Sequence, residues 1–172
     1  MKVIALYSSS IDGKIAHSKQ DTLEWISSDA QKFFRAETTK SGIVIMGRKT
    51  FMKEAKPYEH RYNVVLTKNP KKYSKYVQED VIEFTSDKPE KLIEKLTQRK
   101  HEAIFIIGGQ TIFSEYMEKG LIDEVWTTVE PILFGSGVEP FKLDKDYTSK
   151  MELLHLTTLS KDTVLLKYAV SQ

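Results

Sequence analysis

Two glycine turns carry the residues best suited to chemistry in this chain. Gly47-Arg48-Lys49-Thr50 follows the apolar run 43–46, and Gly108-Gly109-Gln110-Thr111-Ile112 follows the apolar run 103–107. Glycine at a strand end lets backbone amides approach a ligand closely, and a helix N-terminus favours an anion. Arg48 and Lys49 add two cations, so the first turn suits a phosphate. Two such turns suit two grips on one extended phosphorylated ligand, a dinucleotide, held outside the carboxyl ends of the strands. Neither turn is a G-x-G-x-x-G or a G-x-x-x-x-G-K-[ST] motif, so the Rossmann and P-loop fingerprints are absent. Each turn taken alone also fits a plain strand-to-helix connection.

A carboxylate and a guanidinium are the other candidates. Asp29 follows Ser28 at the start of a helical pattern, where it fits either an acid that manages a substrate proton or a residue favoured by the helix dipole. Arg61 precedes an apolar strand and is suited to bidentate pairing with a carboxylate. The histidines His17, His60, His101 and His155 have neither metal-ligand spacing nor a triad partner, and read as surface or packing residues.

Those residues need a scaffold, and the apolar periodicity supplies one. Strands are expected at 3–7, 43–46, 63–67, 81–84, 103–107 and Glu124–Val129, mostly apolar on both faces, as in a sheet covered on both sides. Helical patterns intervene: Phe33 and Phe34 after a Ser28-x-x-Gln31 capping box, Leu92, Ile93 and Leu96 after Pro89, and Ile112, Phe113, Tyr116 and Met117 before Gly120. Alternating strands and helices predict an α/β, doubly wound, mostly parallel sheet. Runs 153–159 and 163–170, joined by Ser160-Lys161-Asp162, predict a closing antiparallel hairpin, for about eight strands. The whole span 1–172 is read as a single domain, with no repeat and no linker.

Composition narrows the function classes. Of 172 residues, 40% are hydrophobic and 29% charged, ordinary values for a globular protein. The net charge of +2, from 26 basic and 24 acidic residues, is too balanced to suggest a nucleic-acid partner. Lys71, Lys72 and Lys75 read as a solvated loop. The chain has no cysteine, which excludes disulfides, thiolate metal sites and cysteine nucleophiles, and no metal is expected. No apolar run has the roughly 20 residues that span a bilayer, and residues 1–7 lack the features of a signal peptide, so a cytoplasmic protein is expected.

Several segments together resemble the dihydrofolate reductase superfamily, which includes the reductase domain of bacterial riboflavin biosynthesis. They are Ser10-Ile11-Asp12-Gly13-Lys14-Ile15-Ala16, Trp25 with Asp29, Met46-Gly47-Arg48-Lys49-Thr50-Phe51, Pro57-x-x-x-Arg61-x-Asn63-Val64-Val65-Leu66-Thr67, Ile107-Gly108-Gly109-Gln110-Thr111-Ile112-Phe113 and Asp123-Glu124-Val125-Trp126-Thr127. The resemblance covers nearly the whole chain and implies an NADPH-dependent hydride transfer to a small-molecule substrate. It implies that Ser8, Ile15, Gly47, Arg48, Lys49, Thr50, Leu66, Thr67, Lys68 and residues Gly108, Gly109, Gln110, Thr111 and Ile112 hold the cofactor. Arg48 and Lys68 would favour the 2′-phosphate; Lys68 equally fits a surface lysine.

The resemblance likewise implies a substrate site of Leu6, Trp25, Asp29, Phe33, Arg61 and Thr127. Asp29 is then the catalytic acid for reduction of 7,8-dihydrofolate to tetrahydrofolate, with hydride at C6 and a proton at N5. Trp25 and Phe33 fit core aromatics as well, and Thr127 fits a plain strand residue. The alternative is a stand-alone riboflavin-pathway reductase acting on a ribosylaminopyrimidine 5′-phosphate, favoured by Asp12-Gly13-Lys14-Ile15-Ala16 and Trp25-Ile26-Ser27. A non-catalytic nucleotide-binding module is a third reading. The expected assembly is a monomer or homodimer, since apolar edge strands can pair between subunits.

Overall fold

Eight apolar runs join into one sheet in the order β4-β3-β2-β5-β1-β6-β8-β7. The computed structural model describes residues 1–18 and 20–171. Its strands are β1 (Lys2–Ser9), β2 (Ile43–Gly47), β3 (Tyr62–Leu66), β4 (Ile82–Thr85), β5 (Ala103–Ile106), β6 (Glu124–Val129), β7 (Met151–Thr158) and β8 (Val164–Val170). Strands β1 to β6 pair in parallel, and β8 runs antiparallel to both β6 and β7. The expected doubly wound sheet with an antiparallel C-terminal hairpin is therefore the observed one.

Strand alternation divides the core between the two faces of this sheet. Ile4, Leu6, Val44, Met46, Val65, Phe105 and Trp126 form one cluster, covered by α1 (Ser28–Ser41) and α2 (Arg48–Phe51) through Phe33, Phe34 and Phe51. Val3, Ala5, Ile45, Val64, Ile104 and Val125 form the other, covered by α3 (Pro89–Thr97) and α4 (Gln110–Glu118) through Leu92, Leu96, Phe113 and Tyr116. Burying one such side chain contributes about 1.5–3 kcal/mol. The lysine-rich stretch forms a 3₁₀ helix, Pro70–Tyr76, rather than a loop, because Tyr73 stacks on Phe84 at 5.2 Å while Lys71, Lys72 and Lys75 stay exposed.

Helix α1 begins one residue earlier in its capping than the Ser28-x-x-Gln31 box predicts. Ser27 is the N-cap, and its hydroxyl accepts from the Ala30 amide at 3.2 Å. Gln31 instead donates its side-chain amide to the Ile26 carbonyl. The helix stops at Gly42, whose φ of 78° is left-handed and whose amide returns to the Thr38 carbonyl. A Cβ at Gly42 would meet the His101 ring at 2.8 Å, so glycine is required there twice over.

Candidate active site

The two glycine turns meet at the carboxyl ends of the neighbouring strands β2 and β5. The Gly47 amide donates to the Gly108 carbonyl at 2.8 Å. A Cβ at Gly47 would lie 3.2 Å from Ile112 Cγ1, and one at Gly108, where φ is 106°, would lie 3.1 Å from the Phe113 ring. Gly109 is the N-cap of α4 and has no capping side chain, so the first amides of that helix are left for a ligand. Arg48 and Thr50 are half-buried and Lys49 exposed beside it, and a Cβ at Gly109 would stand 3.6 Å from Thr50 Oγ1. Among the described residues neither Arg48 nor Lys49 forms an ion pair. A glycine cradle with uncompensated positive charge fits a phosphorylated nucleotide.

The other expected cofactor residues gather along the same edge. Ser8 sits near the end of β1, its hydroxyl 2.6 Å from that of Thr128, and Leu66 closes β3, with Thr67 and the exposed Lys68 directly after it. Ile15 packs against the α4-side core, and its amide donates to the Val138 carbonyl. Gln110, Thr111 and Ile112 form the first turn of α4, with the Gln110 amide donating to the Glu139 carbonyl.

On the α1 side, helix rotation separates the carboxylate from the sheet. Ala30 is the buried residue of the first turn, 2% exposed, whereas the Asp29 side chain is 41% exposed and pairs with Lys32 at 3.3 Å. One residue turns a helix by about 100°, so a group one position off the docked stripe faces sideways. Asp29 is half-buried at the edge of the docked face, one turn before the half-buried Phe33, while the fully buried positions are Ala30, Thr38 and Ser41. The expected place of Thr127 beside the acid is corrected. It lies on the Val125 side of the sheet, 3.3 Å from the Ser9 hydroxyl, and Thr128 is the threonine on the α1 face.

Leu6 and Phe33 line the α1-side cluster, with Phe33 6.2 Å from the Trp126 ring. Trp25 stands edge-on to Phe134 at 5.2 Å, and its indole N–H is buried without a partner among the described residues. Arg61 is 9% exposed, donates to the Glu59 carbonyl at 2.9 Å and the Thr38 hydroxyl at 2.7 Å, and lies over the Tyr58 ring. Burial pushes its guanidinium below the usual arginine range, and none of the described carboxylates pairs with it.

Glu130 is the site residue that spacing alone does not reveal. It follows β6 on the α1 face, is 1% exposed, and accepts from the hydroxyls of Ser27 at 3.2 Å and Thr163 at 3.0 Å. Its sequence signal is a carboxylate directly after an apolar strand, in phase with Trp126 and Thr128. Asp12 fastens the neighbouring loop, accepting from the amides of Phe134 at 3.1 Å and Gly135 at 2.8 Å and from the Ser10 hydroxyl at 2.7 Å. The Ser10 hydrogen bond, followed by the Phe134 amide, holds its carboxyl below the usual aspartate range.

This sheet order, the closing hairpin and a ligand edge with paired glycine turns define a dihydrofolate reductase-like α/β protein. The chain belongs to the RibD C-terminal domain family, whose model it matches over residues 1–165. It is 28% identical over 153 residues to the uncharacterized protein YwjB of Bacillus subtilis, covering 81% of this chain and 82% of that one. It is 38% identical over 86 residues to the dihydrofolate reductase of Staphylococcus aureus, covering 50% of this chain and 46% of the enzyme.

Solved structures share the fold across both branches. A putative riboflavin biosynthesis protein from Shewanella sp. PV-4 superposes with a TM-score of 0.78 at 23% identity, over 100% of both chains. A Thermotoga maritima diaminohydroxyphosphoribosylaminopyrimidine deaminase/5-amino-6-(5-phosphoribosylamino)uracil reductase gives 0.78 at 18% identity, and this chain spans 56% of it. Enterococcus faecalis dihydrofolate reductase complexed with NADP(H) gives 0.68 at 20% identity, over 99% of this chain and 97% of the enzyme.

Proposed function

We propose that this protein is an NADPH-dependent reductase of the riboflavin-pathway type, acting on a ribosylaminopyrimidine 5′-phosphate. The observation that carries this reading is Ala30. Protonating dihydrofolate at N5 calls for an acid held against the pterin, and the helix position docked on the sheet is an alanine, with Asp29 turned to Lys32. A ribosylamine opens to an imine, and its reduction needs hydride at the ribose C1′ and a proton at nitrogen. Membership of the RibD C-terminal domain family supports the same substrate class.

NADPH supplies the hydride in this reading. Gly47, Gly108 and Gly109 give its phosphates close approach, while Arg48 and Lys68 favour the 2′-phosphate form. Ser8, Ile15, Leu66, Thr67 and Thr111 complete that binding edge. Trp25 offers its unpaired indole N–H to a substrate acceptor, whereas Arg61 stands before the amino end of β3, bound to Thr38 in the second half of α1 and away from the glycine turns. Glu130 holds Ser27 and so sets where the Trp25 segment stands.

Dihydrofolate is the second reading, favoured by the 38% identity with the Staphylococcus aureus enzyme. Leu6, Phe33 and Arg61 would then take the pterin, aminobenzoyl and glutamate parts. Following NADPH absorbance with each substrate in turn tests the choice. Oxidation with the pyrimidine alone is expected; oxidation with dihydrofolate alone overturns the first reading.

A further inference from the structure

Lys167 brings a cation to the face of the sheet that carries Leu6 and Phe33. The register sets it beside Trp126 on β6, which in turn stands beside Leu6 on β1, so the three form one row across the α1 side. Its Nζ lies 3.4 Å from the centre of the Trp126 ring and 5.4 Å from that of Phe33. The side chain is half-buried, and among the described residues it forms no ion pair.

The charged groups around it are engaged elsewhere or stand too far off to neutralise it. Glu124 accepts from the Trp126 indole N–H at 2.7 Å and pairs with Lys2, and Glu37, one turn after Phe33 on α1, stays beyond ion-pair distance. Two other cations near α1 are occupied: Lys32 pairs with Asp29 at 3.3 Å and Arg61 donates to Thr38. Burial pushes the Lys167 ammonium below the usual lysine range; Glu37 and then Glu124 pull it back, and Lys40 adds to the depression. A partly desolvated, unpaired ammonium gains from an anion that replaces its lost water.

We propose that Lys167 anchors the 5′-phosphate of the substrate, with Phe33 and Trp126 as the wall beside the sugar. This rests on the reading of the substrate as a ribosylaminopyrimidine 5′-phosphate. Lys167 stands level with Leu6, and Ser8 and Thr128 lie two residues nearer the carboxyl edge, about 7 Å along the strands. The chain from C1′ to a 5′-phosphate has a similar length, so a phosphate held at Lys167 leaves C1′ at the edge where the glycine turns hold the cofactor. A compact charge with three rotatable donors suits a phosphomonoester.

Calorimetric titration of the full-length protein with ribose 5-phosphate, with NADP⁺ saturating the glycine turns, tests this without turnover. Saturable binding is expected in the wild type, weakened about tenfold or more by Lys167→Met and largely kept by Lys167→Arg. Ribose, which lacks the phosphate, should not distinguish the proteins. Methionine packs well on an aromatic ring, thermal melts check that the fold is kept, and Lys167→Gln is a second variant. Equal affinity in wild type and Lys167→Met overturns the inference, as does a wild type with no saturable binding. With the pyrimidine 5′-phosphate as substrate, Lys167→Met should raise KM more than it lowers kcat, and an unmoved KM removes Lys167 while keeping the substrate reading. Failure of the substrate reading shows differently, as no NADPH oxidation with the pyrimidine while ribose 5-phosphate still binds through Lys167.

Discussion

Glu130 accepts a hydrogen bond from the hydroxyl of Ser27 at 3.2 Å, tying the N-cap of α1 to the carboxyl end of β6 across 103 positions of sequence. Thr163, just before β8, donates to the same carboxyl group at 3.0 Å. Three segments that frame the ligand edge are thus held by one nearly inaccessible carboxyl group.

Glu130→Ala should therefore destabilise the fold. It removes the acceptor shared by the buried Thr163 and half-buried Ser27 hydroxyls and opens a void, a loss of about 2–4 kcal/mol. Glu130→Gln keeps the volume and should lose less. Urea midpoints measure both, and an unchanged midpoint for the alanine variant contradicts the tie.

Asp29→Asn should alter turnover less than about twofold. Its carboxylate is 41% exposed, and an exposed pair such as Asp29–Lys32 contributes about 0–1 kcal/mol. Steady-state kinetics with the productive substrate checks this. A drop of an order of magnitude or more would return Asp29 to the role of catalytic acid.

Gly108→Ala should weaken NADPH binding and stability together. The residue has a φ of 106°, and the added methyl would stand 3.1 Å from the Phe113 ring. Overpacking and a disfavoured backbone each cost about 1–3 kcal/mol. Thermal melts with and without NADPH separate the two effects; wild-type melts in both states would contradict the close packing of this turn.

Arg48→Ala should erode the preference for NADPH over NADH. A charge-assisted hydrogen bond is worth about 1.5–3 kcal/mol, or roughly 10–100-fold in relative affinity. Titration of each cofactor reads the ratio, and a ratio equal to wild type would move the 2′-phosphate contact elsewhere, with Lys68 the next candidate.

Asp12 gives a pH dependence of defined sign. Its folded-state pKa lies below the ordinary aspartate value, first through the Ser10 hydrogen bond, so its contribution is full above the unfolded pKa and fades as pH falls through the folded one. Amides of Phe134 and Gly135 should lose hydrogen-exchange protection, relative to core amides, as the solution is acidified below the ordinary aspartate pKa. Asp12→Asn should show weakened protection already at neutral pH. Protection that stays level into the acid range contradicts the Asp12 clasp.

Local patterning made most of the architecture legible. Strands such as 43–46 and 103–107 declare themselves by composition, and Gly47 and Gly108 mark their ends, because each signal lies within a few residues. The misplaced features all turn on phase. A shift of one along α1 separates Asp29 from Ala30 by about 100° of rotation, and a shift of one along β6 exchanges Thr127 for Thr128 across the sheet. Which phase docks is decided by packing that spacing from Trp25 does not encode. Glu130 was hidden for another reason: its partners, Ser27 and Thr163, are brought to it only when the sheet closes.

The fate of the hydride tests the substrate assignment most directly. With NADPH deuterated at the transferred position and the ribosylaminopyrimidine 5′-phosphate as substrate, mass spectrometry should find the label at C1′ of a ribitylaminopyrimidine product. No labelled pyrimidine, together with label at C6 of tetrahydrofolate when dihydrofolate is supplied, would contradict the account.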